Sequence, residues 1–192
     1  AWRRKKGIAF GAFRIYSRRI AVHAKGVPGI TMVTEKEIWK FLEEVYDPEV
    51  PVLTVVDLGV VQKVDLGDDY CKITITPTYS GCPAMQRMHS DIEDKLAEKG
   101  IKNVDVELVL SPAWTTDWIS ESGRKKLKEY GIAPPVDEPD KSILFATPVV
   151  VPCPLCESDD TILVSQFGST ACKAHYKCNN CLEPFDYFKC LR

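Results

Sequence analysis

The apolar positions between residues 33 and 131 change their spacing several times, from the period of a helix to that of a strand and back. Thr34 and Glu37 have the spacing of a capping box, and the apolar residues behind them recur every three or four positions. This pattern predicts a helix that ends before Pro48, because the residue before a proline disfavours the helical conformation. Residues 47–51 should then form a stiff, extended loop.

Alternation of apolar and polar positions predicts two strands, over residues 60–64 and 70–76, which a short polar turn joins into a hairpin. Cys71 falls on the apolar side of the second strand, so we interpret it as a buried core residue. A second helix is expected to begin at Pro83, since proline fits the first position of a helix, and to end at Gly100.

A third strand is predicted between residues 104 and 110, where every second position is apolar, and a last helix ends near Gly131. The order is therefore helix, strand, strand, helix, strand, helix. Such an order is typical of a small α+β domain in which helices pack on a three-stranded sheet. Prolines are frequent just after this domain and indicate a linker.

Two Cys-x-x-Cys pairs stand about twenty residues apart near the end of the chain, which is the spacing of a zinc ribbon. They are formed by Cys153 and Cys156, and by Cys178 and Cys181. Four thiolates make a closed tetrahedral site, which is structural, because a catalytic zinc keeps one position open for water. The alternative is disulfides or free thiols. The absence of a secretory pattern argues against disulfides, which are rare in reducing compartments.

Three further side chains of the same segment can bind metal, namely Cys172, His175 and Cys190. They could replace a ribbon ligand, form a second metal site or serve redox chemistry. The alternative is that the two cysteines simply pack in the core of the ribbon.

These patterns divide the chain into four parts. We expect a basic extension over residues 1–31, an α+β domain over 33–131, a linker over 132–148 and a β zinc ribbon over 149–192.

The net charge of −2 hides a strong asymmetry along the chain. Residues 1–31 contain eight Lys and Arg and no acidic residue, whereas the rest has an excess of ten acidic side chains. The basic stretch resembles an organelle transit peptide in its charge, and Met32 stands just before the first helix. We interpret residues 1–31 as a disordered extension or a mis-assigned start, with a functional tail as the alternative.

The composition also restricts the possible partners and location. An acidic body argues against broad nucleic-acid binding by the ribbon. A membrane-spanning helix needs a run of about eighteen apolar residues, and the sequence contains no such run. We therefore expect a cytoplasmic protein that binds neither nucleic acid nor membrane.

Within the first domain, Cys82 is the side chain that we single out for chemistry. It directly precedes a helix, where free amides and the helix dipole lower the pKa of a thiol. Thr76 and Thr78 place hydroxyl groups in the same loop, and Asp47 and Glu49 hold two carboxylates on the stiff proline loop. Such a set could bind iron or accept an iron–sulfur cluster. The alternatives are that Cys82 only caps the helix and that the loop with Asp47 and Glu49 is an ordinary surface turn.

Several stretches of the chain together resemble the PaaD family, the D component of the phenylacetyl-CoA ring-epoxidase system. The stretches are residues 47–61, 76–83 and 114–118 in the first domain, and residues 167–174 and 181–190 in the ribbon. The resemblance runs from about residue 33 to the end of the chain, and both domains occur in the same order.

The resemblance implies a first domain like the iron–sulfur assembly factors, whose Asp-Pro-Glu loop and reactive cysteine correspond to Asp47, Pro48, Glu49 and Cys82. It also implies an accessory protein without catalysis of its own, since the oxygenase and the reductase are separate chains. Such a protein would help to insert iron or an iron–sulfur cluster into these two partners, with the iron–sulfur assembly machinery as a further partner. Zinc would be structural, and iron or a cluster transient.

Three other functions remain open at this point. The chain could be a docking protein that tethers the oxygenase to the reductase. It could be a redox protein that uses Cys172 and Cys190, or a ribbon that binds nucleic acid despite its acidic body.

Overall fold

The computed structural model describes residues 19–22, 31–67, 70–136 and 150–189. Two short strands, β1 (Arg19–Val22) and β2 (Thr31–Thr34), pair in antiparallel fashion near the start of the chain. Apart from β1 and Thr31, the basic segment 1–31 lies outside the described residues, as does Cys190. Our interpretations of that segment and of Cys190 therefore concern positions outside this description.

The first domain is an α+β unit of three helices on a three-stranded sheet, as predicted. Its elements are α1 (Glu35–Leu42), β3 (Val61–Leu66), β4 (Cys71–Ile75), α2 (Ala84–Glu98), β5 (Val104–Leu108), a 3₁₀ turn (Thr116–Trp118) and α3 (Glu121–Tyr130). The strand order is β3-β4-β5. Strands β3 and β4 form the antiparallel hairpin, whereas β5 runs parallel to β4, because α2 carries the chain back across the sheet.

The predicted capping box begins α1. The Thr34 hydroxyl accepts a hydrogen bond from the Glu37 amide at 3.3 Å, and the Glu37 carboxylate accepts one from the Thr34 amide at 2.8 Å. The helix ends at Leu42, several residues earlier than Pro48 requires. The reason is that the chain after Leu42 folds back on itself, with the Asp47 amide bonded to the Leu53 carbonyl at 2.9 Å.

Helix α2 covers the sheet with the apolar side chains that the sequence indicated. Met85, Met88, Ile92 and Leu96 are all buried, and Cys71 lies fully buried beneath the helices in β4. Pro83 is the N-cap rather than the first helical residue.

The end of β5 differs from expectation, because its last apolar side chains are not covered. Leu108 and Leu110 are 48% and 64% exposed. They lie on one wall of an open cavity of about 560 Å³, whose other wall is the first half of α2. The alternation in the sequence therefore continues beyond the part of the strand that α2 covers.

The C-terminal sheet consists of β7 (Thr161–Ser165), β8 (Lys173–Cys178) and β9 (Pro184–Phe188), and it accepts one strand from outside the ribbon. That strand is β6 (Ile132–Ala133), which pairs with β9 in parallel and gives the order β6-β9-β8-β7. Residues 132–133 belong to the stretch that we interpreted as a linker. The last residues of the first domain are thus joined to the ribbon by backbone hydrogen bonds.

Side chains also connect the two parts of the chain. Phe188 and Cys172 from the ribbon are buried in the same cluster as the core of the first domain, and the ring of Phe188 lies 6.2 Å from that of Trp114. The Trp114 indole is fixed in turn, since it donates a 2.9 Å hydrogen bond to the Leu58 carbonyl. Part of the ribbon is therefore buried in the apolar core of the first domain, while the ribbon also has a smaller buried cluster of its own.

No helix in the described parts of the chain combines the length and the apolar character needed to cross a lipid bilayer.

Asp57 holds the third helix in place. Its carboxylate accepts hydrogen bonds from the Ser120 hydroxyl at 2.9 Å, from the Thr54 hydroxyl at 3.0 Å and from the Lys126 ammonium group at 2.5 Å. Burial raises the pKa of Asp57, but these hydrogen bonds outweigh it, so the pKa lies below the ordinary 3.8.

We expect the Asp57→Ala variant to lose about 2 kcal/mol in its free energy of unfolding at pH 7, because the buried Thr54 hydroxyl and two partly buried donors lose their acceptor. A group with a lowered pKa stabilises the fold above its ordinary pKa and loses this effect as the carboxylate is protonated. The difference in the free energy of unfolding between variant and wild type should therefore become smaller below pH 3.8. Urea titrations at several pH values measure both effects. Asp65→Ala is the control, since Asp65 forms a surface ion pair with Lys63, and an equal loss in that variant would contradict the account.

Candidate functional site

The four cysteines of the ribbon come together at the ends of its strands. All four sulfur atoms lie within 4.8 Å of one another. The Cys153 sulfur is 3.7 Å from that of Cys181, and the Cys156 sulfur is 3.5 Å from that of Cys178. A tetrahedral site with Zn–S bonds of about 2.3 Å has sulfur–sulfur edges of about 3.8 Å. These two distances are close to those of a zinc site, and the other sulfur–sulfur distances do not exceed 4.8 Å.

The surroundings favour the thiolate form of Cys156, whereas the Glu183 amide, which lowers the pKa of the Cys181 thiol, is outweighed by burial and the neighbouring thiols, which raise that pKa to about 12. The Ser158 amide donates to Cys156, and the Asn180 side chain donates to the same sulfur at 3.7 Å. These donors, the Ser158 amide first, lower the pKa of the Cys156 thiol to about 6. The Cys181 amide donates to the Cys178 sulfur at 3.5 Å. Bonds from amides to sulfur stabilise the charge of a thiolate, and the four-cysteine set is thus suited to bind metal.

Cys82 lies in the first domain, at the end of the loop that follows β4. Its side chain is 9% exposed and reaches the open cavity between α2 and the end of β5. The expected lowering of its pKa is wrong. Burial raises the pKa of the Cys82 thiol, and it outweighs the amide of Ala84 and the hydroxyl of Tyr79, which bond to the sulfur. Glu49 and Asp47 add negative charge nearby and raise the pKa further.

The two carboxylates of the proline loop have different positions. Asp47 is buried, and one of its oxygens accepts the amides of Glu49 at 2.6 Å and Val50 at 3.0 Å. It therefore shapes the loop. Glu49 is half-buried, and its carboxylate lies within electrostatic reach of Cys82 and Cys172. Burial raises the pKa of Glu49, and the nearby charge of Asp47 raises it further.

The two threonines of the Cys82 loop are buried. Thr76 is 1% exposed, and among the described residues its hydroxyl oxygen has no hydrogen-bond partner. Thr78 is 9% exposed.

Neither Cys172 nor His175 belongs to the four-cysteine cluster. The two side chains also lie in different environments. Cys172 is 5% exposed and packs in the core of the first domain rather than in that of the ribbon. His175 is half-buried beside a second cavity of about 450 Å³, where its ring nitrogen lies 3.3 Å from Asp186. Within the described parts of the chain, the four ribbon cysteines are the one group of three or more candidate ligands that lie this close.

Two residues near Cys82 and Glu49 were absent from the site that we predicted from the sequence. Tyr79 bonds to the Cys82 sulfur, and burial, followed by the charge of Cys82, raises the pKa of its hydroxyl to about 12. Lys173 is 4% exposed, and its ammonium group lies 3.4 Å from the Glu49 carbonyl and 3.8 Å from Asp186. A lysine after a cysteine carries no local signal of burial, whereas Tyr79 could have been noticed as the aromatic residue of the Cys82 loop.

Comparison with known families gives two matches. Residues 35–108 match a family described as "Iron-sulfur cluster assembly protein", and residues 137–189 match one described as "PaaD zinc beta ribbon domain".

Among curated proteins, the chain is similar to the putative D component of the 1,2-phenylacetyl-CoA epoxidase of Escherichia coli (strain K12). The two are 49% identical over 155 residues, which cover 81% of this chain and 92% of that protein. An "Fe-S protein maturation auxiliary factor" of Porphyromonas gingivalis is 40% identical over 96 residues, 49% of this chain and 90% of its own length. A solved structure, the domain of unknown function DUF59 from Bacillus anthracis, is 29% identical with a TM-score of 0.46, over 48% of this chain and 90% of that one.

We expect Cys153→Ser to bind almost no zinc and to lose the folded ribbon, because structural zinc binding is coupled to folding. Zinc analysis and amide hydrogen exchange across β7 to β9 measure both effects. Cys71→Ala is the matched control, as it removes a buried thiol from the first domain and should keep about one zinc per chain. A Cys153→Ser protein with full zinc and unchanged protection would contradict this expectation.

Proposed function

The chain belongs to the PaaD family, the D components of 1,2-phenylacetyl-CoA epoxidases, as its motifs predicted, and from this membership we propose that it is an accessory maturation protein. In this proposal it helps to insert iron or an iron–sulfur cluster into the oxygenase and reductase of the epoxidase, in the cytoplasm. It receives the cargo from the iron–sulfur assembly machinery and has no catalysis of its own. The similarity of about half of the chain to Fe–S protein maturation auxiliary factors supports this role.

The observation that carries the proposal is the position of Cys82. Its thiol is almost buried, yet it forms part of the wall of an open cavity. A carrier needs both properties, because burial protects the cargo from water and oxygen while the opening lets a client reach it. A thiol that only capped the helix would need no such opening.

The electrostatics of Cys82 support reversible binding. With its pKa raised by burial and by Glu49, the thiol is protonated at neutral pH. A metal must displace that proton, so some of the binding free energy is lost and the affinity is reduced. Weak binding is useful to a protein that must give its cargo away. In the ribbon, amides donate hydrogen bonds to the Cys156 and Cys178 sulfurs, and we propose that the four cysteines hold a permanent structural zinc.

One observation favours a second function, that of a docking protein between oxygenase and reductase. Leu108 and Leu110 present apolar surface beside the same cavity. Exposed leucines at a cavity are suited to contact another protein. In a docking role the protein would remain necessary for turnover, whereas in a maturation role it would be needed only before turnover begins.

We expect the chain, purified without oxygen, to hold about one zinc and a smaller amount of iron and sulfide. Cys82→Ala should keep the zinc and lose the iron and sulfide, since the variant retains the ribbon site but not the carrier thiol. Metal and acid-labile sulfide analysis measures this, with Cys71→Ala as the control that removes a buried thiol elsewhere. Iron and sulfide that are unchanged in Cys82→Ala would overturn the carrier proposal.

The maturation and docking roles are separated by an activity assay with fully matured oxygenase and reductase. Maturation predicts that epoxidation proceeds at the same rate with or without this protein. Docking predicts that the rate falls when the protein is left out, and such a fall would favour the tether.

A further inference from the structure

Strand β5 forms one edge of the sheet in the first domain. Within the part of the chain that the structure describes, β5 pairs with β4 on one side and with no strand on the other. The Asn103 carbonyl accepts the Cys71 amide at 2.8 Å, and the Val109 amide donates to the Ile75 carbonyl at 2.9 Å. In a parallel pair, residues that bond to the neighbouring strand alternate with residues whose backbone groups point the other way. The amides and carbonyls that point to the open edge are therefore those of Val104, Val106 and Leu108.

The end of this edge carries apolar surface. Leu108 and Leu110 are 48% and 64% exposed, on the same side of the strand as the buried Val106. Both leucines line the open cavity of about 560 Å³ that Cys82 also lines. One exposed leucine is ordinary, whereas two that continue an open strand edge into a cavity favour contact with another chain.

The opposite side of the same edge is acidic. The side chains of Asp105 and Glu107 are 70% and 47% exposed, and the Lys72 ammonium group lies 4.0 Å from Asp105 and 3.1 Å from Glu107. One ammonium group between two carboxylates leaves these three side chains negative in sum. A strand added beside β5 would place its own side chains next to the carboxylates, and opposite charges at such positions stabilise a sheet. The added strand should therefore have Lys or Arg on this side.

The same charges argue against a second copy of the chain as the occupant. Antiparallel pairing of two β5 strands about Val106 would place Asp105 of each copy opposite Glu107 of the other. A shift of the register brings two Asp105 side chains or two Glu107 side chains face to face. Like charges directly opposite each other destabilise a sheet. The edge is therefore suited to a different chain with basic side chains.

We propose that the open edge of β5 binds an extended segment of a client protein as an added strand, in which apolar residues alternate with Lys or Arg. Its apolar side chains pack on Leu108 and Leu110, and its basic side chains lie beside Asp105 and Glu107. Strand addition of this kind takes its affinity from backbone hydrogen bonds and its specificity from alternate side chains. The inference rests on the proposed carrier function for the kind of partner, and it adds how the client is held beside the cavity that Cys82 lines.

The test uses the zinc-loaded full chain and a fluorescent, end-blocked peptide of eight residues that alternates valine and arginine. A peptide that alternates valine and glutamate has the same apolar side and the opposite charge, and it is the matched control. Fluorescence anisotropy measures the binding of both peptides without any cargo on the chain. We expect the basic peptide to bind about tenfold more tightly than the acidic one at low ionic strength.

Two variants locate the binding at the strand edge. Leu108→Pro removes an amide that points to the open edge and keeps the bonds to β4, so it should weaken binding of the basic peptide roughly tenfold. Leu108→Ala is its matched control, because it also loses the leucine side chain but keeps the amide, and it should bind more tightly than Leu108→Pro. Asp105→Lys should weaken the basic peptide about threefold and strengthen the acidic one. Zinc content and far-ultraviolet circular dichroism verify that each variant is folded.

Hydrogen exchange in the wild type decides even if Leu108→Pro does not fold. Bound peptide should slow the exchange of the Val106 and Leu108 amides, whereas the Val109 amide, which already bonds to Ile75, should change little. This result would support the added strand. Protection that occurs only elsewhere in the chain would overturn it.

Three further results would overturn the inference. They are no binding of the basic peptide up to about 1 mM, equal binding of the acidic peptide, and a wild-type dimer in sedimentation that Leu108→Pro dissociates, since a second copy would then occupy the edge. The carrier function is tested separately by the iron and sulfide content of Cys82→Ala. Peptide binding involves no cargo, so either proposal can fail while the other stands.

Discussion

The rest of the structure depends on the apolar contact through which the ribbon completes the core of the first domain. Phe188 packs against Trp114, which is itself fixed by the Leu58 carbonyl, and Cys172 is buried in the same cluster. Strand β6 reinforces this contact by pairing with β9. A small ribbon has little core of its own, so burial against a neighbour stabilises both parts. The same contact buries Cys172 of the ribbon in the core of the first domain.

The cysteines of this chain lie in two different electrostatic environments. In the ribbon, four sulfurs lie within 4.8 Å of one another and accept hydrogen bonds from nearby amides, an arrangement that suits a closed metal site. At Cys82 and Cys172, burial and the negative charge of Glu49 raise the pKa of the thiol. In the proposed function, the ribbon holds a permanent ion and the first domain a transient ligand. The difference comes from local dielectric and charge, since the side chain is the same.

Features that depend on local pattern were predictable from the sequence, and features that depend on tertiary contact were not. The capping box at Thr34, the hairpin with Cys71 inside and the buried side of α2 follow from spacing alone, and the structure has all three. We expected the pKa of Cys82 to be lowered, whereas it is raised, because the start of the helix is visible in the sequence but the burial of the thiol is not. The two-residue strand β6 is too short for a pattern, and no periodicity indicates that Cys172 packs in the other domain's core.

If the chain delivers its cargo to the epoxidase, iron that is labelled on this chain should move to an epoxidase component. The chain would be loaded with isotopically labelled iron, mixed without oxygen with iron-free oxygenase or reductase, and separated from it again. The account predicts that one of these clients gains the iron that the chain loses, faster than from the same amount of free ferrous iron, and becomes active in epoxidation. Iron that stays on the chain, or that reaches both clients no faster than free iron does, would contradict it.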